Sequence, residues 1–285
     1  MNAFTMTSAK RRKVARLVVI YTLVALLAIV LLFPFYWMFA SSVKPEEELY
    51  RSKPTLFPET FTSFHYERLF RHTNFGRYFL NSTVIALVSA TGAMIIAAPA
   101  AYSLGRLRYR GQNAAAQMTV ILRLFPGVIL MLPLYVLVAR MKLTDNLLAL
   151  VLIYISFQIP YAAMLLRAYF LAIPMELEDA ARVDGASRMR VLVSIILPLA
   201  RPGLTAAWIR SFILSWSEFI MASILMNSEK NKTVAVGLYE WMGTYHIDWG
   251  AMSAGGVLVT IPIFFFFLIA GKTLVKGLLG GAVKG

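Results

Sequence analysis

Long stretches without charged residues constrain this chain more than any other feature of its sequence. Four stretches contain no Asp, Glu, Lys or Arg: Arg16 to Lys44 (27 residues between them), Arg77 to Arg106 (28), Asp145 to Arg167 (21) and Asp248 to Lys272 (23). About 20 apolar residues in an α-helix cross a hydrocarbon core about 30 Å thick. Each stretch is therefore long enough to span a membrane as a helix.

Two further apolar stretches are interrupted by charge. Residues 114–139 contain Arg123, and residues 203–226 contain Arg210 and Glu218. None of the six stretches shows the two-residue alternation of an outer-membrane β-barrel. The sequence thus predicts an all-α integral membrane protein with six transmembrane helices.

Composition agrees with this fold class and excludes several kinds of site. The chain is 59% hydrophobic and 15% charged, whereas soluble domains average about 25% charged residues. It has no cysteine, and its histidines, His65, His72 and His246, lack metal-ligand spacing, so no metal site is predicted. A phosphate-binding loop would need a glycine five residues before Gly271, where Phe266 stands.

The distribution of charge predicts the orientation. With the N-terminus in the cytoplasm, the inner segments carry a net charge of +11 and the outer segments a net charge of +1. Cytoplasmic loops of membrane proteins are enriched in Lys and Arg. The overall charge of +14 is therefore interpreted as a topology signal with both termini inside, and not as a nucleic-acid surface.

The first apolar stretch is longer than the 7–15 residues of a signal-peptide core, which favours an uncleaved helix. The chain then divides into a basic cytoplasmic N-terminus (1–16), a first transmembrane helix (17–43), an extracytoplasmic loop (44–77), a core with five transmembrane helices (78–272) that includes the cytoplasmic loop 173–202, and a cytoplasmic tail (273–285).

The cytoplasmic loop 173–202 between the fourth and fifth spans is the most informative segment. Pro174 is placed to begin a short helix, and Gly185 is placed to end it in a left-handed conformation. Acids in the first turn complement the helix dipole, and small residues give a flat face for another protein. These residues are Glu176, Glu178, Asp179, Ala180 and Ala181. Without further information, an ordinary amphipathic connector would explain the segment equally well.

Two motifs in this loop resemble a known family. Glu178–Ser187 reads Glu-Asp-Ala-Ala-x-x-Asp-Gly-Ala-Ser, and Ile195–Pro202 reads Ile-x-Leu-Pro-x-x-x-Pro. Together they resemble the EAA loop of MalG-type permease subunits of binding-protein-dependent ABC sugar importers, in the carbohydrate-uptake group. Asp179 stands where the family usually has Glu. Weaker similarities cover the rest of the chain from Val14: Phe125-Pro126, Pro133–Tyr135, Trp216–Phe219 and Gly277–Gly285.

The resemblance implies a MalG/MetI-like permease fold and a non-catalytic subunit in a bacterial or archaeal inner membrane. It implies a heterodimer with a MalF-like permease and two copies of an ABC ATPase that use ATP and Mg²⁺. The other implied partners are an extracytoplasmic substrate-binding protein, membrane lipid and an oligosaccharide substrate, which is moved by alternating access. This chain itself would bind no cofactor. The implied ATPase-coupling residues are Glu178, Asp179, Ala180, Ala181, Asp184, Gly185 and Ala186. The tail residues Gly280, Gly281 and Lys284 are a possible second ATPase contact.

Two sets of residues have open interpretations. Arg123, Arg210 and Glu218 either line a translocation path or pair with the neighbouring permease; lining would favour an acidic sugar or glycerol phosphate. An aromatic set forms either a membrane-interface belt or a contact with the binding protein and its sugar. Its members are Tyr239, Trp241, Tyr245 and Trp249.

Two rival functions have less support in the sequence. An ion-gradient-driven secondary transporter predicts acidic residues at mid-membrane and internal repeats. Glu218 is the one acid within a predicted span, and no repeat is evident. An intramembrane enzyme is disfavoured because the chain lacks the H-E-x-x-H and G-x-S-x-G motifs.

Overall fold

The computed structural model describes residues 8–124, 126–240 and 248–282, and every regular element within them is a helix. A π-helical segment covers Leu192–Ile196, and a short 3₁₀ turn covers Glu229–Asn231. The α-helices are α1 (Ser8–Ser42), α2 (Glu46–Leu49), α3 (Phe64–His72), α4 (Phe75–Arg106), α5 (Gln112–Leu124), α6 (Gly127–Arg140), α7 (Leu147–Leu171), α8 (Glu176–Val183), α9 (Arg188–Val191), α10 (Leu197–Leu199), α11 (Arg201–Trp216), α12 (Ile220–Leu225), α13 (Val234–Glu240) and α14 (Trp249–Ala282).

Among the described residues, four helices, α1, α4, α7 and α14, are long and apolar enough to cross a membrane. Two bent pairs meet the same criterion together: α5 with α6, and the segment Arg188–Leu199 with α11, the latter bent by 82°. Counting each bent pair as one span gives six spans, the number that the sequence predicts, although the second pair begins at Arg188, within the predicted cytoplasmic loop 173–202, and not at residue 203. Each of the four long helices α1, α4, α7 and α14 contains a proline, which a membrane helix tolerates when neighbouring groups satisfy the freed carbonyls. These prolines are Pro34, Pro99, Pro160 and Pro262.

Two predicted spans are broken where the sequence suggested continuous helices. The stretch 114–139 divides at Pro126, which lacks a backbone donor and precedes the first residue of α6. The stretch 203–226 ends as α11 at Trp216 and resumes as α12 at Ile220. Glu218 stands in the second break.

The chain forms two compact units, and one of them comprises α1 to α3 with α14 as far as Leu258. In this unit the predicted extracytoplasmic loop is folded. The His65 ring is fully buried, and its Nε2 lies 2.8 Å from the carbonyl oxygen of Lys44. Gly250 leaves room for this ring, since a Cβ at position 250 would overlap it. The loop thus packs against the first turn of α14.

The other unit comprises α4 to α13 and α14 from Val259. Its core forms where α4 packs against α7 and α11. Small side chains let membrane helices approach closely, and five alanines of α4 are fully buried: Ala86, Ala90, Ala93, Ala97 and Ala101. Gly203 of α11 is equally close to α7, because a Cβ there would overlap the ring of Tyr169. These contacts hold the membrane helices that carry the site.

Candidate functional site

The helix α8, which the sequence predicts to be cytoplasmic, has the geometry expected for its ends. Glu176 begins the helix two residues after Pro174, and acids occupy the first turn. Gly185 follows with a φ of +83°, in the left-handed region that favours glycine. The amide of Ala186 donates to the carbonyl of Ala181 at 2.9 Å, which closes the turn. The left-handed conformation predicted for Gly185 is therefore confirmed.

One face of α8 is open. Asp179, Ala180 and Asp184 are exposed, as the predicted partner surface requires. The apolar side chains of Leu177 and Val183 are also exposed, the latter at 87%. Exposed apolar groups beside charged ones are typical of a surface that receives another protein.

Glu178 differs from the prediction that the acids of this helix face a partner. It is 3% exposed, and one carboxylate oxygen lies 3.6 Å from Nε of Arg106. The Tyr102 hydroxyl donates to its other oxygen at 3.4 Å. Placing Glu178 outward was wrong because Arg106, at the end of α4, lies on the inner side of α8.

Arg106 joins three elements. Its guanidinium donates to the carbonyl oxygens of Phe170 and Ile173 at the end of α7, and it pairs with Glu178 of α8. From the sequence alone, Arg106 is only one of the predicted inner positive charges. Its partner lies 72 residues further along the chain, so no local spacing indicates the pair. The arrangement ties α8 mechanically to α4 and α7.

The second site is a groove of about 790 Å³ lined by α5, α6, α7, α11 and α12. Its walls are mostly apolar, with Leu, Met, Val and Ile side chains. Arg123, Arg210 and Glu218, the three charged residues predicted within spans, all line it. The structure therefore brings these three residues together from different parts of the chain.

Both arginines stack on one aromatic ring. The guanidinium carbon of Arg210 lies 3.5 Å from the ring centre of Tyr161, and that of Arg123 lies 4.6 Å from it. Cation–π contacts of this kind are attractive and hold the guanidinium in place. In the sequence, the position of Tyr161 directly after Pro160 of α7 gives no sign of this role.

Glu218 is bound by other groups. The Tyr154 hydroxyl donates to it at 2.5 Å, and the backbone amides of Met221 and Ala222 donate at 2.8 and 3.1 Å. By accepting from these two amides, Glu218 satisfies backbone donors that the first turn of a helix leaves without a partner. Glu218 thus holds the beginning of α12 against α7.

The aromatic and tail residues are only partly within the described structure. Tyr239 is 57% exposed and packs on Phe219 with ring centres 5.0 Å apart. Trp249 is 51% exposed at the start of α14. Trp241 and Tyr245 lie outside the described residues, as does Lys284, whereas Gly280 and Gly281 belong to the last turns of α14.

Asp145, in the segment between α6 and α7, makes several hydrogen bonds to the segment that follows α12. Its Oδ1 accepts from the amides of Asn227 and Ser228 at 3.1 and 3.0 Å, and its own amide donates to the carbonyl of Leu225 at 2.9 Å. The Ser228 hydroxyl and these amides hold the pKa of the Asp145 carboxyl below its usual value. Its φ of +58° is one that Asp and Asn tolerate better than other side chains.

Asp145→Asn is expected to lower the free energy of unfolding by about 1 kcal/mol at pH 7, because a charge-assisted hydrogen bond becomes a neutral one. A depressed native pKa stabilises the fold above the unfolded-state value and loses that effect as the pH falls. The difference between wild type and variant should therefore shrink below about pH 4. Thermal unfolding from pH 7 to pH 3 measures it, with exposed Glu47→Gln as the control for charge; a constant difference would contradict the prediction.

Glu46, His65 and Asp248 have potential metal-ligating atoms within 4.8 Å of one another. The Arg68 guanidinium lies 3.1 Å from Glu46 and 2.9 Å from Asp248. Since this guanidinium already pairs with both carboxylates, we interpret the cluster as an ion-pair network and assign it no metal.

Residues 97–279 match the family described as "Binding-protein-dependent transport system inner membrane component". The chain is 33% identical over 267 residues to the inner membrane ABC transporter permease protein YcjP of Escherichia coli K12, covering 93% of this chain and 95% of that protein. It is 35% identical to the trehalose transport system permease protein SugB of Mycobacterium tuberculosis, covering 89% and 93%.

A solved structure also resembles the chain. It belongs to a bacterial ABC transporter involved in the import of the acidic polysaccharide alginate, and it matches with a TM-score of 0.81. The match covers 95% of this chain and 99% of that one, at 21% identity. At this identity the likeness shows the fold alone.

Proposed function

Because the chain belongs to the family of binding-protein-dependent transport system inner membrane components, we propose that it is one of two permease subunits in an ATP-driven importer of oligosaccharides. Membership of the family makes it a membrane-embedded transporter subunit. The observation that carries the rest of the proposal is α8, a short cytoplasmic helix with an open acidic and apolar face that is tied by Arg106 to two spans.

Sugars are the proposed substrate class. The relative SugB is named as a trehalose transport system permease protein. The groove in this chain has about 790 Å³, within the range of about 300–1,000 Å³ typical of small-molecule sites. It combines apolar walls with a few polar side chains, which suits the mixed surface of a sugar.

The proposed assembly contains a second, related permease, two copies of an ABC ATPase and an extracytoplasmic substrate-binding protein. ATP and Mg²⁺ are bound by the ATPase, and this chain supplies the docking helix. Both termini are cytoplasmic in this proposal, because that orientation puts the excess of Lys and Arg on the inner side. The host membrane is a bacterial or archaeal inner membrane.

The proposed mechanism is alternating access driven through α8. The ATPase subunits move α8 when they close around ATP. Because Arg106 binds Glu178 as well as the carbonyls of Phe170 and Ile173, the motion passes to the ends of α4 and α7. A ligand or partner shifts the equilibrium between the inward-facing and outward-facing states only by its difference in affinity for these two states. The ATPase supplies that difference on the inner side and the loaded binding protein supplies it on the outer side.

The test is uptake by the whole complex in proteoliposomes. Co-purified with its permease, ATPase and binding-protein partners, the chain is expected to import labelled trehalose or another oligosaccharide of a defined panel only when ATP and the loaded binding protein are both present. A non-hydrolysable ATP analogue is the control. Uptake that follows a proton or sodium gradient without ATP would contradict the proposal and favour a secondary transporter.

A further inference from the structure

The arginine pair in the membrane groove carries charge that no carboxylate of the described chain neutralises. The ion pairs found among the described residues do not involve Arg123 or Arg210. The acid that shares the groove, Glu218, accepts from the Tyr154 hydroxyl and from two backbone amides. The groove therefore holds two guanidinium groups and one carboxylate that is engaged elsewhere.

The two guanidinium groups are held close together. Their distances to the shared Tyr161 ring centre add to 8.1 Å, so the two guanidinium carbons lie no further apart than that. A guanidinium presents several N–H donors in a planar fork, which matches the two oxygens of a carboxylate. Apart from a contact of 3.4 Å between Nη1 of Arg123 and Sδ of Met164, the N–H groups of the two guanidiniums have no hydrogen-bond acceptor among the described residues. Two such forks within this distance are suited to a single anionic group.

A neutral hydrogen-bonding group lies beside the pair. Gln158 precedes Tyr161 by three residues on α7, which places both side chains on one side of the helix. Its Nε2 donates to Ser215 at 2.6 Å, whereas its buried Oε1 has no hydrogen-bond partner. Gln158 is 5% exposed and lines the groove. A buried acceptor without a donor is costly, and a ligand hydroxyl would satisfy it.

We propose that Arg123 and Arg210 bind the acidic group of a sugar acid in this groove, while Oε1 of Gln158 accepts from one of its hydroxyls. This inference rests on the proposed function and narrows its substrate to acidic oligosaccharides. An acidic side chain of the second permease is the other possible counter-charge. It would neutralise the arginines but leave the Gln158 oxygen without a donor, whereas a sugar acid supplies both groups.

The test compares two probes that differ in charge. Digalacturonate and neutral galactobiose are offered to the complex of both permeases and the ATPase in lipid nanodiscs, without the binding protein, and bound probe is measured by equilibrium dialysis. The wild-type complex is expected to bind digalacturonate at least about tenfold more tightly, because charge-assisted hydrogen bonds are the stronger ones. Arg123→Gln/Arg210→Gln is expected to reduce this preference to about twofold or less.

Arg140→Gln is the matched control, since Arg140 is an exposed arginine at the end of α6 that does not line the groove. It should retain the wild-type preference. Equal binding of both probes, or binding of neither, would overturn the proposal. Loss of the second permease on purification of the double variant, together with no preference in the wild type, would assign the arginines to the interface between permeases.

Failure of this inference is distinguishable from failure of the proposed function. If the importer is real but the arginines do not select charge, ATP-dependent uptake persists and the neutral and acidic probes are handled alike. If the proposed function is wrong, no oligosaccharide of either charge is moved by ATP hydrolysis.

Discussion

Arg106→Ala is expected to abolish the stimulation of ATP hydrolysis by the loaded binding protein while the chain still inserts in the membrane. The change leaves Glu178 as a buried charge without its partner, and the side chains of this pair are 5% and 4% exposed. Breaking a buried ion pair from one side typically costs about 3–5 kcal/mol. The carbonyls of Phe170 and Ile173 also lose their donor. ATPase activity of the reconstituted complex with and without loaded binding protein measures the effect.

A double variant tests whether the unpaired charge of Glu178 causes the loss of stimulation. Replacing a buried ion pair by apolar residues of similar volume is often neutral, so Arg106→Met/Glu178→Met is expected to regain much of the stimulation. Arg108→Ala removes an exposed arginine two residues away and should behave as wild type. A double variant as inactive as Arg106→Ala would show that the unpaired charge is not the cause, and that the Glu178 carboxylate itself or the donation to the Phe170 and Ile173 carbonyls is required.

Asp179→Lys is expected to reduce uptake at least about tenfold while changing the free energy of unfolding by about 1 kcal/mol or less. Asp179 is exposed on the open face of α8, so its loss removes no internal contact of consequence, and exposed substitutions are usually mild. A lysine in the first turn opposes the helix dipole by about 0.3–1 kcal/mol. Uptake in proteoliposomes and thermal unfolding of the same preparation measure the two quantities.

Two further variants control this result. Glu176→Lys places the same charge in the same helical turn and therefore reports the dipole cost on stability alone. Asp179→Glu keeps the acid with a longer reach and should preserve uptake. Normal uptake by Asp179→Lys would remove this residue from the contact with the ATPase.

Features that depend on local sequence could be predicted. The long uncharged stretches become α1, α4, α7 and α14 because an apolar helix satisfies its own backbone hydrogen bonds, whatever its neighbours are. Gly185 could be predicted for a similar reason, since a residue that ends a helix in the left-handed region is most easily a glycine.

Features that depend on distant partners could not be predicted. Glu178 and Asp179 are adjacent acids of the same charge, yet one is buried and the other exposed, and the difference comes from Arg106 on another helix. The arginine stack likewise depends on Tyr161, which only the packing of α5, α7 and α11 brings to both side chains. Sequence spacing along one helix contains no information about such contacts.

The buried alanines of α4 have an evolutionary consequence. Five of them are fully buried, so each is a position where even one added methylene would wedge the packed helices apart, and overpacking typically costs about 1–3 kcal/mol. We therefore expect substitutions in this helix to be tolerated mainly on its outward side, where residues such as Leu80, Val84 and Ile95 are exposed. Changes of transport specificity are then expected to come from substitutions in the groove, with the packed face of α4 left as it is.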